Sequence, residues 1–100
     1  TMTATLTVIY WRDIPAQVTA KGEAGSARAQ LSDRFQKAID AAAMKAGLIE
    51  MDLYLEEWRQ ESRPCEDDLD AAVAAETERL EAAFDRDRLL ELARSGGRRA

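Results

Sequence analysis

No histidine occurs among the 100 residues of this chain. Its absence removes the most frequent general base, the commonest metal ligand, and the Ser–His and Cys–His pairings of nucleophilic catalysis. Cysteine occurs once, as Cys65, which excludes an internal disulfide and a thiolate zinc site built within the chain. Neither GxxxxGK[ST] nor GxGxxG is present, so nucleotide phosphates find no glycine-rich cradle. No apolar run approaches the roughly 18 residues of a membrane span, and the first residues lack the basic and apolar regions of a secretory signal. Positive charge is also in deficit. Fourteen Lys and Arg against 19 Asp and Glu give a net charge of −5, which repels phosphate backbones and argues against nucleic acid. These absences describe a cytoplasmic protein with no cofactor, no metal and no membrane contact, and not an enzyme.

One hundred residues make a single domain. Alanine supplies much of the 46% hydrophobic content, so the core is expected to be thin and to rely on helix packing. That core is placed at about residues 5–94. Arg94, Arg98 and Arg99 around Gly96–Gly97 read as the start of a flexible, solvated basic tail covering residues 95–100.

The pattern of the chain predicts an α+β two-layer sandwich in the order ββαβα, a small antiparallel sheet with helices on one face. Thr5–Arg12 alternates and is rich in β-branched and aromatic residues, as a first strand should be. Asp13-Ile14-Pro15 ends it, and Ala16–Ala20 alternates again as a second strand of a hairpin. Lys21–Ser26 reads as a polar loop. Leu31, Phe35, Ala38, Ile39, Ala42 and Ala46 then form a helical stripe, with Ser32 as N-cap, Gly47 as C′ residue, and Leu48 and Ile49 folded back over the last turn. Met51–Gln60 suits either period, and a third strand is preferred because Gly47 has just ended a helix. A long helix follows from about Glu66, with Leu69, Val73, Glu76, Leu80 and Ala83/Phe84 on one stripe and a weak point at Asp85–Asp87.

The carboxylate groups Glu56–Glu57 and Glu66, Asp67, Asp68 and Asp70 do not follow the twelve-residue calcium loop. The second group is better read as acid at a helix start, where the dipole favours it. Cys65 stands just ahead of those acids, whose charge opposes a reactive thiolate, and reads as structural.

What the chain does have is an aromatic and arginine set. Tyr10, Trp11, Arg12, Asp13, Tyr54, Trp58 and Arg59 include the residue types that dominate binding hot spots. If the first and third strands are neighbours, the two Trp-Arg pairs lie on one patch, where Arg can stack on Trp or grip a carboxylate at two points. The plainer reading is also open: one sheet face must pack on helices, and Trp is a normal core residue. Arg12 and Arg59 cannot be buried unpaired, and Asp13, Glu56 or Glu57 could pair with them.

At YWRDIPAQV, followed by DRFQKAIDAAAMKAGL and DLYLEEWR, the chain resembles a small bacterial family labelled "virulence factor". The same domain occurs as the C-terminal module of longer conserved virulence factor C proteins. The resemblance covers roughly Leu6 to Arg63, and the helix after Pro64 is less distinctive. It implies no catalytic residue, cofactor or substrate. It implies an accessory role beside corrinoid- and folate-linked one-carbon enzymes. Two functions are therefore expected. The first is a non-enzymatic interaction module whose Trp/Arg hairpin docks on a partner protein or on a second copy of the chain. The alternative is a small-molecule or cofactor-binding protein with an aromatic and arginine pocket for an anionic ligand.

Overall fold

Alternating apolar and β-branched residues after Ala4 form the first strand of the computed structural model, which describes residues 4–23, 25–48, 50–66 and 68–98. The elements run β1 (Ala4–Trp11), β2 (Ile14–Gly22), β3 (Gly25–Gln30), α1 (Asp33–Ala46), α2 (Met51–Glu56), β4 (Trp58–Cys65), α3 (Leu69–Ala83) and α4 (Arg86–Arg94). The four strands make one antiparallel sheet in the order β3-β2-β1-β4. The class is α+β, as the pattern predicts, with one more strand and more helices than expected.

Three differences have physical causes. Ile14 and Pro15 do not end the hairpin; both lie inside β2 and are buried. The register with β1 slips between Ile9 and Tyr10, and Ala16 is the extra residue. A proline that cannot donate is tolerated at such a bulge. The turn itself is only Arg12–Asp13, between the paired Trp11 and Ile14. Next, the segment expected as a loop at Lys21–Ser26 finishes β2 and starts β3, with Gly22 opposite Gly25. β3 is built from Gly, Ser, Ala, Arg and Gln, which carry no strand signature; only Ala27 and Ala29 turn inward.

The third difference is the largest. Met51–Glu56 is a helix, not a strand, and the strand begins at Trp58. A strand here would place Met51, Leu53 and Leu55 together on one sheet face. As a helix, the segment instead turns Tyr54 inward and leaves those three exposed. β4 then runs through Pro64 to Cys65 as an edge strand, where proline costs no ladder bond.

The remaining helix signals hold in part, the exception being the expected Ser32 cap, whose hydroxyl does not bond the first turn of α1. Gly47 adopts φ +76 after α1 and its N–H bonds back into the last turn, followed by Leu48 N–H to the Ala43 carbonyl. Ile49 lies outside the described residues. Ser32 stands at the N-cap position of α1, but its hydroxyl and its N–H both donate to the Glu81 carboxylate of α3, at 2.9 and 2.7 Å. The long C-terminal helix starts at Leu69 behind an Asp68 cap and breaks at Phe84–Asp85, where Asp85 caps α4. Leu6, Val8, Val18 and Ala20 form the inner sheet face and meet Phe35, Ile39, Val73, Leu80, Phe84, Leu89 and Leu92 from the helices. Each large side chain so buried contributes about 1.5–3 kcal/mol. α1 and α3 pack on this face, and α4 packs on α1. The other presents Thr5, Thr7, Thr19, Lys21, Arg28 and Gln60.

Candidate functional site

The tip of the β1–β2 hairpin is where the aromatic and arginine residues meet. β1 and β4 are neighbours, so Trp11 lies opposite Trp58 and Tyr10 opposite Arg59. Arg12 is the one described non-glycine residue at positive φ, +53, a conformation its neighbours must hold in place. They do so through both chain directions. The Arg12 N–H donates to the Glu57 carbonyl at 3.1 Å and the Asp13 N–H to the Gly97 carbonyl at 2.8 Å. The Arg12 guanidinium donates to the Gly96 carbonyl and to the Glu57 carboxylate, each at 2.9 Å. Three distant segments are thereby tied at one corner.

The indole of Trp11 is the centre of that corner and is 0% exposed. Its Nε1 donates to the Tyr54 carbonyl at 2.9 Å, and its ring stacks on that of Tyr54 at 5.6 Å. Tyr54 in turn meets Trp58 edge-on at 6.0 Å. Gly97 lies flat against the far side: a Cβ there would stand 2.9 Å from Trp11 Cζ3, at a backbone φ of +90. The expected flexible, solvated tail is thus corrected at Gly96 and Gly97, while Ser95 and Arg98 are exposed. Gly96 and Gly97 are buried, Gly96 against Ala46 and the Arg12 guanidinium and Gly97 against the indole, which only a residue without a Cβ can approach so closely. Arg99 lies outside the described residues.

On the other side of β1, the Arg59 guanidinium lies over the Tyr10 ring, 4.5 Å from its centroid. Its Nε donates to the Arg12 carbonyl at 2.8 Å, and its terminal nitrogens engage Asp13 and Glu61. Burial works against the charge of Arg59, but the bonds to Glu61 and Asp13 outweigh it and raise its pKa. The Tyr10 hydroxyl titrates above its ordinary range, first through burial and then through the Glu61 carboxylate.

All seven expected residues therefore gather at one place, but they face one another. Trp11 is wholly inside and Arg12 nearly so, with a side chain 13% exposed. Of the two readings open for Trp11 the core one fits, and the expectation that the hairpin offers Trp11 and Arg12 to a partner is corrected, because both side chains are covered. The rings that would line an anion pocket fill the space between themselves. Among the described residues, surface hollows lie on the outer sheet face, between β4 and α3, and beside the start of α1, the last lined in part by Trp58. None of the three is bordered by both Trp-Arg pairs.

Two features escaped the sequence reading. One is Glu76, buried on the α3 stripe and held by Arg63 of β4 and Arg79 of α3, at 2.8 and 2.5 Å. Its place on an otherwise apolar stripe was the available signal. The Arg79 hydrogen bonds, and Arg63 after them, hold its carboxyl below the ordinary range against the opposing effect of burial. The other is the outer surface of α2. At about 100° per residue, inward Tyr54 puts Met51 and Leu55 on one flank, Leu53 on the other, and Asp52 and Glu56 on the crest between. Met51 is 68%, Leu55 53% and Leu53 42% exposed, and Met44 at the end of α1 is exposed as well. The misassigned strand hid this arrangement.

Among the described residues no three cysteine or carboxylate side chains come together as a metal set, and no helix is long and apolar enough to cross a membrane. A sequence model of one family, described as "Virulence factor", matches residues 9–93. No curated protein and no solved structure matches the chain. The matched span includes α3 and α4, beyond the segments that carry the resemblance in the sequence.

Proposed function

The chain belongs to the virulence factor family, and from that premise we propose that it is a non-enzymatic docking module. The observation that carries the reading is α2. This helix buries none of its residues fully and exposes Met51, Leu53 and Leu55 in a chain whose other large apolar side chains are mostly inside. Exposed apolar side chains gathered on one short element mark interaction surfaces. The Trp11–Arg12 corner serves this role indirectly. It anchors α2 through the Tyr54 carbonyl and ring and through Glu57, and so presents the outer flank on a rigid support. Tyr54, Trp58 and Arg59, each only partly buried, border the same corner.

The partner proposed first is a protein, and the family resemblance directs the search to enzymes of corrinoid- and folate-linked one-carbon metabolism. The anionic-ligand alternative draws less support, because the aromatic rings pack on one another and both guanidiniums already donate to carbonyl or carboxylate groups of the chain. The test is affinity capture from the native cell with tagged wild-type domain beside a Met51→Ser/Leu55→Ser double variant. A stoichiometric partner lost with the double variant, at unchanged circular dichroism, supports the reading. The same partner retained by both forms overturns the assignment to α2.

A further inference from the structure

From the charge around α2, and resting on the docking reading above, we infer the chemistry of the partner: an apolar helix face edged by Lys and Arg. The thirteen residues from Ala46 to Trp58 carry four carboxylates, Glu50, Asp52, Glu56 and Glu57, and no cation. Glu57 is committed to Arg12 and Arg98. Glu50, Asp52 and Glu56 are exposed and form no ion pair among the described residues. Of the crest carboxylates, Asp52 stands directly beside the Met51–Leu55 flank and Glu56 toward Leu53. An occupant of that flank must meet apolar surface and negative charge at once.

This pattern discriminates among occupants. A second copy would bring like charges together. In a two-fold interface the same patch lies on both sides, so two surfaces that each carry Asp52 and Glu56 and no cation of α2 would face one another. An anionic lipid surface is repelled for the same reason, and α2 lacks the basic face that interfacial helices use. Nucleic acid is excluded by the sign of the charge. A cationic amphipathic helix satisfies both requirements: Leu, Ile or Met at i, i+3 or i+4, and i+7 against Met51 and Leu55, with flanking Lys or Arg on the crest acids. Rim pairs of this kind set orientation and association rate more than affinity.

An unbiased selection tests this. A displayed library of random helical peptides is panned on the immobilised full chain, and recovered peptides are re-measured by fluorescence anisotropy. The expected peptides are net cationic with a helical apolar stripe. Their binding is lost in Met51→Ser/Leu55→Ser and weakened about tenfold in Glu50→Gln/Asp52→Asn/Glu56→Gln. It also weakens when salt rises from about 50 to about 300 mM. All substituted positions are exposed, so both variants are expected to fold. Peptides that need Met51 and Leu55 but are neutral or acidic, or that bind equally well in high salt and to the carboxamide variant, overturn the inference and leave the docking reading standing. Failure to recover any peptide dependent on Met51 and Leu55 overturns both.

Discussion

Trp11–Arg12 and Trp58–Arg59 are the same dipeptide, and they reach opposite fates. The first ends the inner strand β1, with α2 and the 95–98 segment closing over it; its indole is fully buried and its guanidinium nearly so. The second begins the edge strand β4; its indole is partly covered and its guanidinium lies on the surface against Tyr10 and Asp13. The two pairs even face each other, Trp11 opposite Trp58. Residue type therefore does not decide between core and surface here. Position in the sheet does, together with what the rest of the chain lays on top.

The comparison can be broken most sharply at the two indoles. Trp11→Ala removes a buried ring that touches Tyr54 and Gly97, and is expected to cost about 4 kcal/mol. That is a large part of the stability of a small domain. Trp58→Ala should cost about 1 kcal/mol. Urea unfolding of both variants checks the contrast; equal losses would erase it.

The next effects are smaller and test how the buried pair is held. Gly97→Ala places a methyl group against the indole at a φ of +90, and a cost of about 2 kcal/mol is expected by thermal unfolding. Arg12→Met should cost a similar amount, about 2 kcal/mol, because the Gly96 carbonyl and Glu57 lose a charged donor. Arg59→Met, at a side chain 40% exposed, should stay below about 1 kcal/mol.

Glu76 sharpens the same contrast by inverting it. At the corner a buried arginine is held by a half-exposed carboxylate; on α3 a buried carboxylate is held by two exposed arginines. Its folded pKa lies below the ordinary value of 4.5. Its contribution is therefore complete above the ordinary range and is lost as pH falls through the lower folded value. Glu76→Gln is expected to cost about 1–2 kcal/mol at neutral pH and to flatten the decline of stability on acidification. Unfolding measured from pH 7 to about 3 for both forms tests this; parallel curves would show that Glu76 does not carry the dependence.

The smallest expected effect is the most telling for function. Met51→Ser/Leu55→Ser should change stability by less than about 0.5 kcal/mol, since both side chains already lie in water. A larger loss would mean that α2 belongs to the fold and not to an interface.

Much of this arrangement was legible in the sequence, for identifiable reasons. β1 and α1 declare themselves by strong periodicity, and Gly47 and Asp85 by end signals that act locally. β3 is silent because an edge strand with two inward alanines needs little hydrophobic signal. The helix at Met51–Glu56 misleads because its apolar residues alternate as a strand would, whereas only Tyr54 turns inward. The seven residues of the corner could be named from composition and order. That they face each other could not, since it depends on Gly96 and Gly97 returning from the far end of the chain to cover Trp11. Alternation along β1 has no access to that contact.

The measurement closest to the central claim is hydrogen exchange on the domain alone and in complex with its captured partner. The account predicts that amides of Met51–Glu57 gain protection in the complex, while those of Trp11–Ile14 are slow in both states because the corner is framework. Protection confined to the outer sheet face, with Met51–Glu57 unchanged, would contradict it.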